Sequence, residues 1–213
     1  MFALTADACE YILQQFEQKN NSSAHSNVWK RRSYAPMYIH TPQLKPLKDL
    51  VVKRFPDYTI AFDVVFESDG REVHWHCDYE SLGPFYVPQR LKAVRNHHFL
   101  SIHFNLTDKG GHLAVYDGLI LSYVYYLCIS WFGIFGWVHW ILACVSRPLF
   151  ILFARKCKSD RLIGNVFDNT RLHSVTAGHP RTSYVLRLVK DDVKLTQSSV
   201  SKGIARSSAC HVF

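Results

Sequence analysis

One short segment carries side chains whose types and spacing could hold a metal ion. Residues 74–78 read His-Trp-His-Cys-Asp, and the alternation of side chains along a strand places His74, His76 and Asp78 on one face. An imidazole and a carboxylate two residues apart can therefore point at one ion. The alternative interpretation is a solvated strand face on which the histidines make ordinary hydrogen bonds.

Two later segments extend this pattern. Residues 110–113 read Gly-Gly-His-Leu, and residues 167–181 contain Phe167, His173, Val175, Gly178 and Arg181 in the order F…HxV…G…R. With the His-x-Asp segment before them, they resemble the Fe(II)- and 2-oxoglutarate-dependent dioxygenases, most closely the prolyl-hydroxylase-like branch. The resemblance covers about residues 58–189 apart from one apolar stretch, and three motifs in the same order are more specific than any one of them.

The resemblance implies a metal centre and a fold. Its ligands would be His76, Asp78 and His173, since two imidazoles and one carboxylate occupy one face of Fe(II) and leave positions open for 2-oxoglutarate and O₂. The fold implied is a double-stranded β-helix, a jelly roll of two sheets with helices on one side.

The resemblance also implies residues for the cosubstrate. The distal carboxylate of 2-oxoglutarate needs a cation, and a guanidinium can bind it through two parallel hydrogen bonds. Arg181 occupies the family's position for that residue, and Arg187 is the reserve because strand alternation points it the same way. Thr182 and Ser183 could add a hydroxyl, and His103 or Phe104 could line the pocket.

Hydrophobic periodicity predicts the elements that would position these side chains. We expect a helix from Ala6 to about Gln18, capped by Thr5, and a shorter one over Leu47–Phe55. Two strand-like segments separated by the turn at residues 68–70 predict a β-hairpin of Tyr58–Glu67 and Arg71–Tyr79. Further strands are predicted at Phe99–Leu106, Leu113–Tyr116, Leu162–Phe167 and Tyr184–Lys190. The fold class is therefore mainly β with N-terminal helices (α+β), a sandwich or barrel.

The composition excludes several classes of protein. With 213 residues and 48% hydrophobic content, the chain can bury a core of ordinary size and is not disordered. The formal net charge is +8, but the longest basic run is Lys30-Arg31-Arg32, so we expect no nucleic-acid partner. The cysteines form no CxxC pair, which argues against a disulfide framework or a structural zinc site.

An apolar insertion interrupts the domain. No Lys, Arg, Asp or Glu occurs from Gly118 to Ser146, a stretch long enough to span a bilayer. The predicted parts are an N-terminal helical buttress and loop (1–56), the first part of the jelly roll (57–118), the insertion (119–157), the second part of the jelly roll (158–190) and a flexible tail (191–213).

Three interpretations of this insertion remain open. It could be a helical hairpin or re-entrant segment that anchors the domain, a helix packed on the sandwich or on a second protomer, or a translated non-coding segment that disrupts the enzyme. A single membrane crossing would separate His76 from His173 and is excluded if they share a site. The aromatic side chains and the basic residues at its end favour membrane association through Leu119–Ala154.

The leading functional hypothesis is an oxygenase that hydroxylates a protein side chain (prolyl-type) or a small molecule and releases succinate and CO₂. One alternative is a catalytically inactive, membrane-associated jelly-roll protein. Another is a cupin-like metal-binding module, which would keep the metal ligands without needing Arg181. Residues 1–25 lack the pattern of a signal peptide, so we expect a cytoplasmic protein, with membrane association as the open alternative.

Overall fold

The protein folds into two antiparallel β-sheets with helices on one side. The computed structural model describes residues 1–22, 32–33, 38–70, 73–76, 95–107, 111–123, 152–157 and 160–191, with the backbone alone at 19–22, 32–33 and 73–76. The elements in chain order are β1 (Phe2–Ala3), α1 (Ala6–Ser22), β2 (Arg32–Ser33), α2 (Lys45–Arg54), β3 (Tyr58–Ser68), β4 (Val73–His76), β5 (Phe99–Asn105), β6 (Leu113–Val115), β7 (Arg155–Lys156), β8 (Ile163–Asp168), β9 (His173–Val175) and β10 (Arg181–Lys190). Two 3₁₀ turns, Tyr38–His40 and Pro42–Leu44, lead into α2.

The strands divide between a major and a minor sheet. The major sheet has the order β1-β8-β5-β10-β3-β2, and the minor sheet has the order β4-β9-β6-β7. The long strand β10 lies at the centre of the major sheet, where it pairs with β3 on one side and β5 on the other. From β3 to β10 the chain alternates between the two sheets, except that β6 and β7 follow each other in the minor sheet.

The helices cover one face of the major sheet. The Thr5 hydroxyl accepts a hydrogen bond from the Ala8 N–H at 3.1 Å, which confirms the predicted N-terminal cap of α1. The buried stripe of α1, with Ile12 and Phe16, packs in one core with Leu47 and Val51 of α2. The strand residues in this core are Val65, Ile102, Phe104, Tyr184, Leu186 and Leu188.

The opposite face of the major sheet, here called the inner face, meets the minor sheet. Alternation along the strands assigns to it the residues that do not face the helices. Phe167 of β8 belongs to this face and packs in a buried cluster with Leu113, Val115 and Val175 of the minor sheet. The space between the sheets is therefore lined by the inner face on one side and by β9 and β6 on the other.

The predicted fold class, mainly β with N-terminal helices, is confirmed, but the predicted β-hairpin is wrong. β3 pairs with β10 and β2 in the major sheet, whereas β4 pairs with β9 in the minor sheet. Gly70 adopts φ +91° between them, and its carbonyl accepts a hydrogen bond from the Gly178 N–H at 2.9 Å. The turn therefore transfers the chain from one sheet to the other, next to the segment that enters β10.

The apolar insertion is described only at its two ends. Residues 120–123 and 152–153 are helical, and residues 124–151 lie outside the described part of the chain. Among the described helices none is long and apolar enough to cross a membrane. The predicted membrane association therefore gains no support from the structure, and the tail from residue 192 onward also lies outside the described residues.

Candidate functional site

The inner face carries a row of buried polar side chains on its central strands. On β10 these are Arg181 and Ser183, and on the neighbouring β5 they are Ser101, His103 and Asn105. Buried polar groups normally have hydrogen-bond partners or ligands, and within the described residues the Arg181 nitrogens and the Ser183 hydroxyl have no hydrogen-bond partner. The row therefore marks the space between the sheets as the candidate site.

Arg181 is the most unusual member of the row. Only 2% of its surface is exposed, and its three guanidinium nitrogens are buried without a hydrogen-bond partner among the described residues. Burial lowers the pKa of this guanidinium from its ordinary value, and the charge of Asp69 partly opposes that shift. A buried cation without a partner is costly, so the site is built to receive an anion.

Gly111 explains part of the motif at residues 110–113. A Cβ atom at this position would lie 3.1 Å from Nη1 of Arg181 and 1.8 Å from the backbone oxygen of Thr176. Any larger side chain would therefore collide with the β9 end of the minor sheet. The glycine lets the minor sheet approach the guanidinium closely.

Ser183 and Arg187 follow Arg181 on the same face of β10. The Ser183 hydroxyl is fully buried and has no partner among the described residues, so it can add a donor beside the guanidinium. Arg187 is only partly buried, and its Nη1 donates a hydrogen bond to the Ser101 hydroxyl. Within the described residues Arg181 therefore has more nitrogens available for a carboxylate than Arg187, and the choice between the two arginines stays a prediction.

His173 lies across the inter-sheet space, on β9. It is 4% exposed, and its ring lies 4.9 Å from the ring of Phe167 on the inner face. Its Nδ1 lies 2.8 Å from the backbone oxygen of Arg171. A carbonyl can only accept, so Nδ1 carries the hydrogen and Nε2 carries the lone pair. Metal-binding histidines commonly have this arrangement, and His173 fits a ligand role.

His76 is placed by its backbone. It pairs directly with His173 in the register of β4 and β9, and residues opposite each other in an antiparallel pair share one face of the sheet. The side chains of His74 and His76 and the whole of Asp78 lie outside what the structure describes. Within the described residues no group of three potential metal ligands occurs, so the assignment of the triad stays a prediction.

His103 lies on the inner face of β5, as its predicted role in lining the pocket requires. It pairs with Val185 of β10 and Asn165 of β8, and its ring lies 6.2 Å from that of Phe66. It is therefore a wall of the same space that contains Arg181. Thr182 points to the other face by alternation, so of the two proposed hydroxyls only Ser183 lies beside Arg181.

The sequence did not reveal a polar cluster behind His173. Asp168, the last residue of β8, and Arg171, in the connection from β8 to β9, are both buried, with Arg171 Nε 3.5 Å from Asp168 Oδ2. His97 Nδ1 lies 2.9 Å from the same carboxylate oxygen. The sequence could have indicated Asp168 and Arg171 only by their nearness to His173. His97 is distant in the sequence and approaches them only in the folded chain.

Solved structures with similar folds place these features in context. HygX from Streptomyces hygroscopicus, with nickel and 2-oxoglutarate bound, has a TM-score of 0.57 and 8% identity, over 90% of this chain and 81% of its own. The non-heme alpha-ketoglutarate-dependent epimerase SnoN from nogalamycin biosynthesis has a TM-score of 0.54 and 11% identity, over 88% and 74%. The nickel complex of ThoJ, a non-heme monooxygenase, has a TM-score of 0.52 and 13% identity, over 98% and 92%.

These likenesses establish the fold as the jelly-roll-like fold of those enzymes. No family model matches the sequence, and no curated protein matches it either.

Proposed function

We propose that this protein is an oxygenase that depends on Fe(II) and 2-oxoglutarate. The observation that carries the proposal is the buried guanidinium of Arg181, which has no hydrogen-bond partner among the described residues and lies in the inter-sheet space with His173. A carboxylate of 2-oxoglutarate would supply the hydrogen-bond acceptor that the described residues do not give this guanidinium. The similarity of the fold to HygX, whose structure contains 2-oxoglutarate, supports the same conclusion.

One set of residues would bind 2-oxoglutarate, and another would hold the metal ion. Arg181 would bind the distal carboxylate of 2-oxoglutarate through two N–H groups, and the Ser183 hydroxyl would donate to it. His76, Asp78 and His173 would hold Fe(II), with the Nδ1–H bond to Arg171 fixing the ring of His173. Fe(II) bound there supplies the activation of O₂ that couples the conversion of 2-oxoglutarate to succinate and CO₂ with hydroxylation of a substrate C–H bond.

The finer assignment concerns the substrate. Hydroxylation of a protein side chain of the prolyl type, or of a small molecule, is proposed from the motif resemblance at residues 76–78, 110–113 and 167–181. A cupin-like metal-binding module would require the metal ligands but no buried arginine. Arg181 therefore favours the oxygenase over that alternative.

Anaerobic titration of the protein with Fe(II) and then with 2-oxoglutarate tests the proposal. We expect the weak visible charge-transfer band that forms when 2-oxoglutarate chelates protein-bound Fe(II). Asp78→Ala is the control, and it should lose both bound iron and succinate production while keeping the fold. Iron binding without the band would favour the cupin-like module, binding of neither would favour the inactive jelly roll, and equal iron content in wild type and Asp78→Ala would contradict the ligand assignment.

A further inference from the structure

The orientation of His173 depends on a backbone carbonyl. The Nδ1–H group of His173 donates to the oxygen of Arg171, two residues earlier in the connection between β8 and β9. A carbonyl points where the local backbone directs it. Whatever fixes the conformation of residues 169–172 therefore also fixes the ring of His173.

Asp168 holds this connection from its beginning. Its Oδ1 accepts hydrogen bonds from the Thr170 N–H at 2.9 Å and from the Thr170 hydroxyl at 2.5 Å. Its backbone oxygen accepts from the Arg171 N–H at 3.1 Å. Its Oδ2 lies 3.5 Å from Arg171 Nε, and both side chains are more than nine-tenths buried, with 8% of Arg171 and 5% of Asp168 exposed.

Arg171 ties the same connection to the end of β6. Its Nη1 donates to the backbone oxygen of Asp117. Beside this bond, the Tyr116 N–H donates to the Leu172 oxygen at 2.9 Å, and the Leu172 N–H donates to the Ser122 hydroxyl at 3.3 Å. The Arg171 carbonyl is therefore held from both sides, through Asp168 and through residues 116–122.

We propose that Asp168 and Arg171 are positioning residues that fix the tautomer and the ring orientation of His173. This inference rests on the proposed function, in which His173 is a metal ligand. Neither side chain needs to touch the metal or the cosubstrate. Both act through the Arg171 carbonyl. Without the ion pair, residues 169–172 can change conformation, and the carbonyl that accepts from His173 Nδ1 then changes direction.

The test uses Arg171→Gln, with Arg155→Gln as the matched control. Arg155 forms an ion pair with Asp117 through Nε at 2.8 Å, and its side chain is half exposed. Its hydrogen bonds within the described residues go to Asp117 and Cys157, not to residues 168–172. Loss of hydrogen bonds behind a ligating histidine typically lowers metal affinity about 10–100-fold. We therefore expect a loss of that size in Ni(II) affinity for Arg171→Gln and little change for Arg155→Gln.

A second readout needs no metal. The ¹⁵N spectrum of the imidazoles in the metal-free protein should show His173 as a single Nδ1–H tautomer in wild type and as a mixture of tautomers in Arg171→Gln. This measurement separates the two proposals, since a wild type that binds no metal contradicts the proposed function but leaves the tautomer test intact. An unchanged tautomer together with unchanged Ni(II) affinity in Arg171→Gln overturns the positioning role.

A variant that removes both charges keeps the test decisive. Arg171→Gln alone leaves the buried Asp168 carboxylate without its ion-pair partner, which can destabilise the fold. Asp168→Asn combined with Arg171→Gln leaves no buried charge, so it should fold even where the single variant does not. The double variant should still show mixed tautomers, and a single Nδ1–H tautomer in the folded double variant would overturn the proposal.

Discussion

At the residue scale, the chemistry of the site is concentrated in two arginines on one strand. Arg181 and Arg187 share the inner face of β10, six residues apart, but their surroundings differ. Arg181 is buried without a partner among the described residues, whereas Arg187 is partly exposed and donates to Ser101. The same residue type therefore occupies two positions on this face, and within the described residues only the Arg181 guanidinium has all three nitrogens without a hydrogen-bond partner.

Substitution of each arginine by lysine separates their roles. Arg181→Lys should weaken 2-oxoglutarate binding about 10–100-fold, because an ammonium cannot make two parallel hydrogen bonds to a carboxylate. Arg187→Lys should change it much less. Both affinities can be measured by anaerobic titration with Fe(II) present, and iron affinity should change little in either variant. A larger effect from Arg187→Lys would show that Arg187 is the cosubstrate residue.

Removal of the Arg181 charge should stabilise the protein in the absence of ligand. Arg181→Met fills a similar volume without the cost of burying an unpaired cation, so the free energy of unfolding should rise by about 1–3 kcal/mol. Urea unfolding measures the change. Arg187→Met, which removes a hydrogen-bonded and partly exposed guanidinium, is the control and should give no such gain. A less stable Arg181→Met would mean that the guanidinium is satisfied in the free protein.

The sequence indicated which residues belong to this site, but not how deeply they are buried or what they contact. The motif order pointed to His173 and Arg181, and Thr182 and Ser183 were the hydroxyls named beside them; His173, Arg181 and Ser183 line the inter-sheet space, whereas Thr182 lies on the other face. The burial of Arg181 was not predictable, because it depends on the approach of Gly111 from the other sheet. The cluster of Asp168, Arg171 and His97 was missed as well: Asp168 and Arg171 are three residues apart, but His97 reaches Asp168 only through the pairing of β5 with β8.

At the element scale, a single carboxylate attaches the 3₁₀ turn Tyr38–His40 to the major sheet. Asp63 of β3 is fully buried, and its Oδ2 accepts from the Ile39 N–H and from the Tyr184 hydroxyl, each at 2.7 Å. Burial raises the pKa of Asp63 above its ordinary value, although these two hydrogen bonds oppose the shift. The carboxyl group therefore holds the turn against β3, and its raised pKa should make the stability of the fold depend on pH.

Asp63→Asn should reveal this link as a change in pH dependence. A carboxyl whose pKa is higher in the folded than in the unfolded state stabilises the fold below its unfolded pKa, and that contribution is lost as pH rises through the raised pKa. The stability of wild type relative to Asp63→Asn should therefore fall as pH rises. Urea unfolding across a series of pH values gives both curves, and parallel curves would contradict the raised pKa.

Asp63→Ala is the matched variant for the hydrogen bonds. It leaves the Ile39 N–H and the Tyr184 hydroxyl buried without their acceptor, which should lower the free energy of unfolding by about 3 kcal/mol. Asp63→Asn keeps an oxygen acceptor and should lose much less. Equal losses would show that the charge, and not the acceptor, holds the turn.

Elements were predictable to different degrees for physical reasons. Long elements with a clear hydrophobic period, such as α1, β3 and β5, begin within a residue or two of their predicted positions. The spacing of apolar residues within each segment is enough to identify it. The hairpin prediction failed because alternation identifies a strand but not its partner. β7 and β9 have two and three residues, too few to carry a period, and they exist through pairing with β6.

At the scale of the whole molecule, the described residues on either side of the apolar insertion lie next to each other. β6 pairs with β7, with Val115 opposite Arg155, and Arg155 forms an ion pair with Asp117 just beyond the end of β6. The segments on either side of the insertion are therefore adjacent in the minor sheet. Its removal needs no rearrangement of the strands that carry His173 or Arg181.

Deletion of Leu119–Ala154, with a short Gly-Ser linker across the gap, should leave a folded protein that binds Fe(II) and 2-oxoglutarate. Circular dichroism and the anaerobic titration check the fold and the site. A narrower deletion of residues 124–151 is the matched control, because it keeps the Ser122 hydroxyl that accepts from the Leu172 N–H. Unfolding of both variants would place the insertion in the core and contradict its independence.

Val115 pairs with Arg155, so the two residues close a loop that contains the insertion. The change in the free energy of unfolding on deletion therefore measures whether residues 124–151 make stabilising interactions. For a connection without structure of its own, the entropy lost when its ends are joined grows as (3/2)R ln n, so shortening it from about 39 to about 11 residues favours closure by about 1.1 kcal/mol. The narrower deletion should show this gain if residues 124–151 are only a tether. A net loss would instead give the free energy that the stretch contributes through interactions of its own.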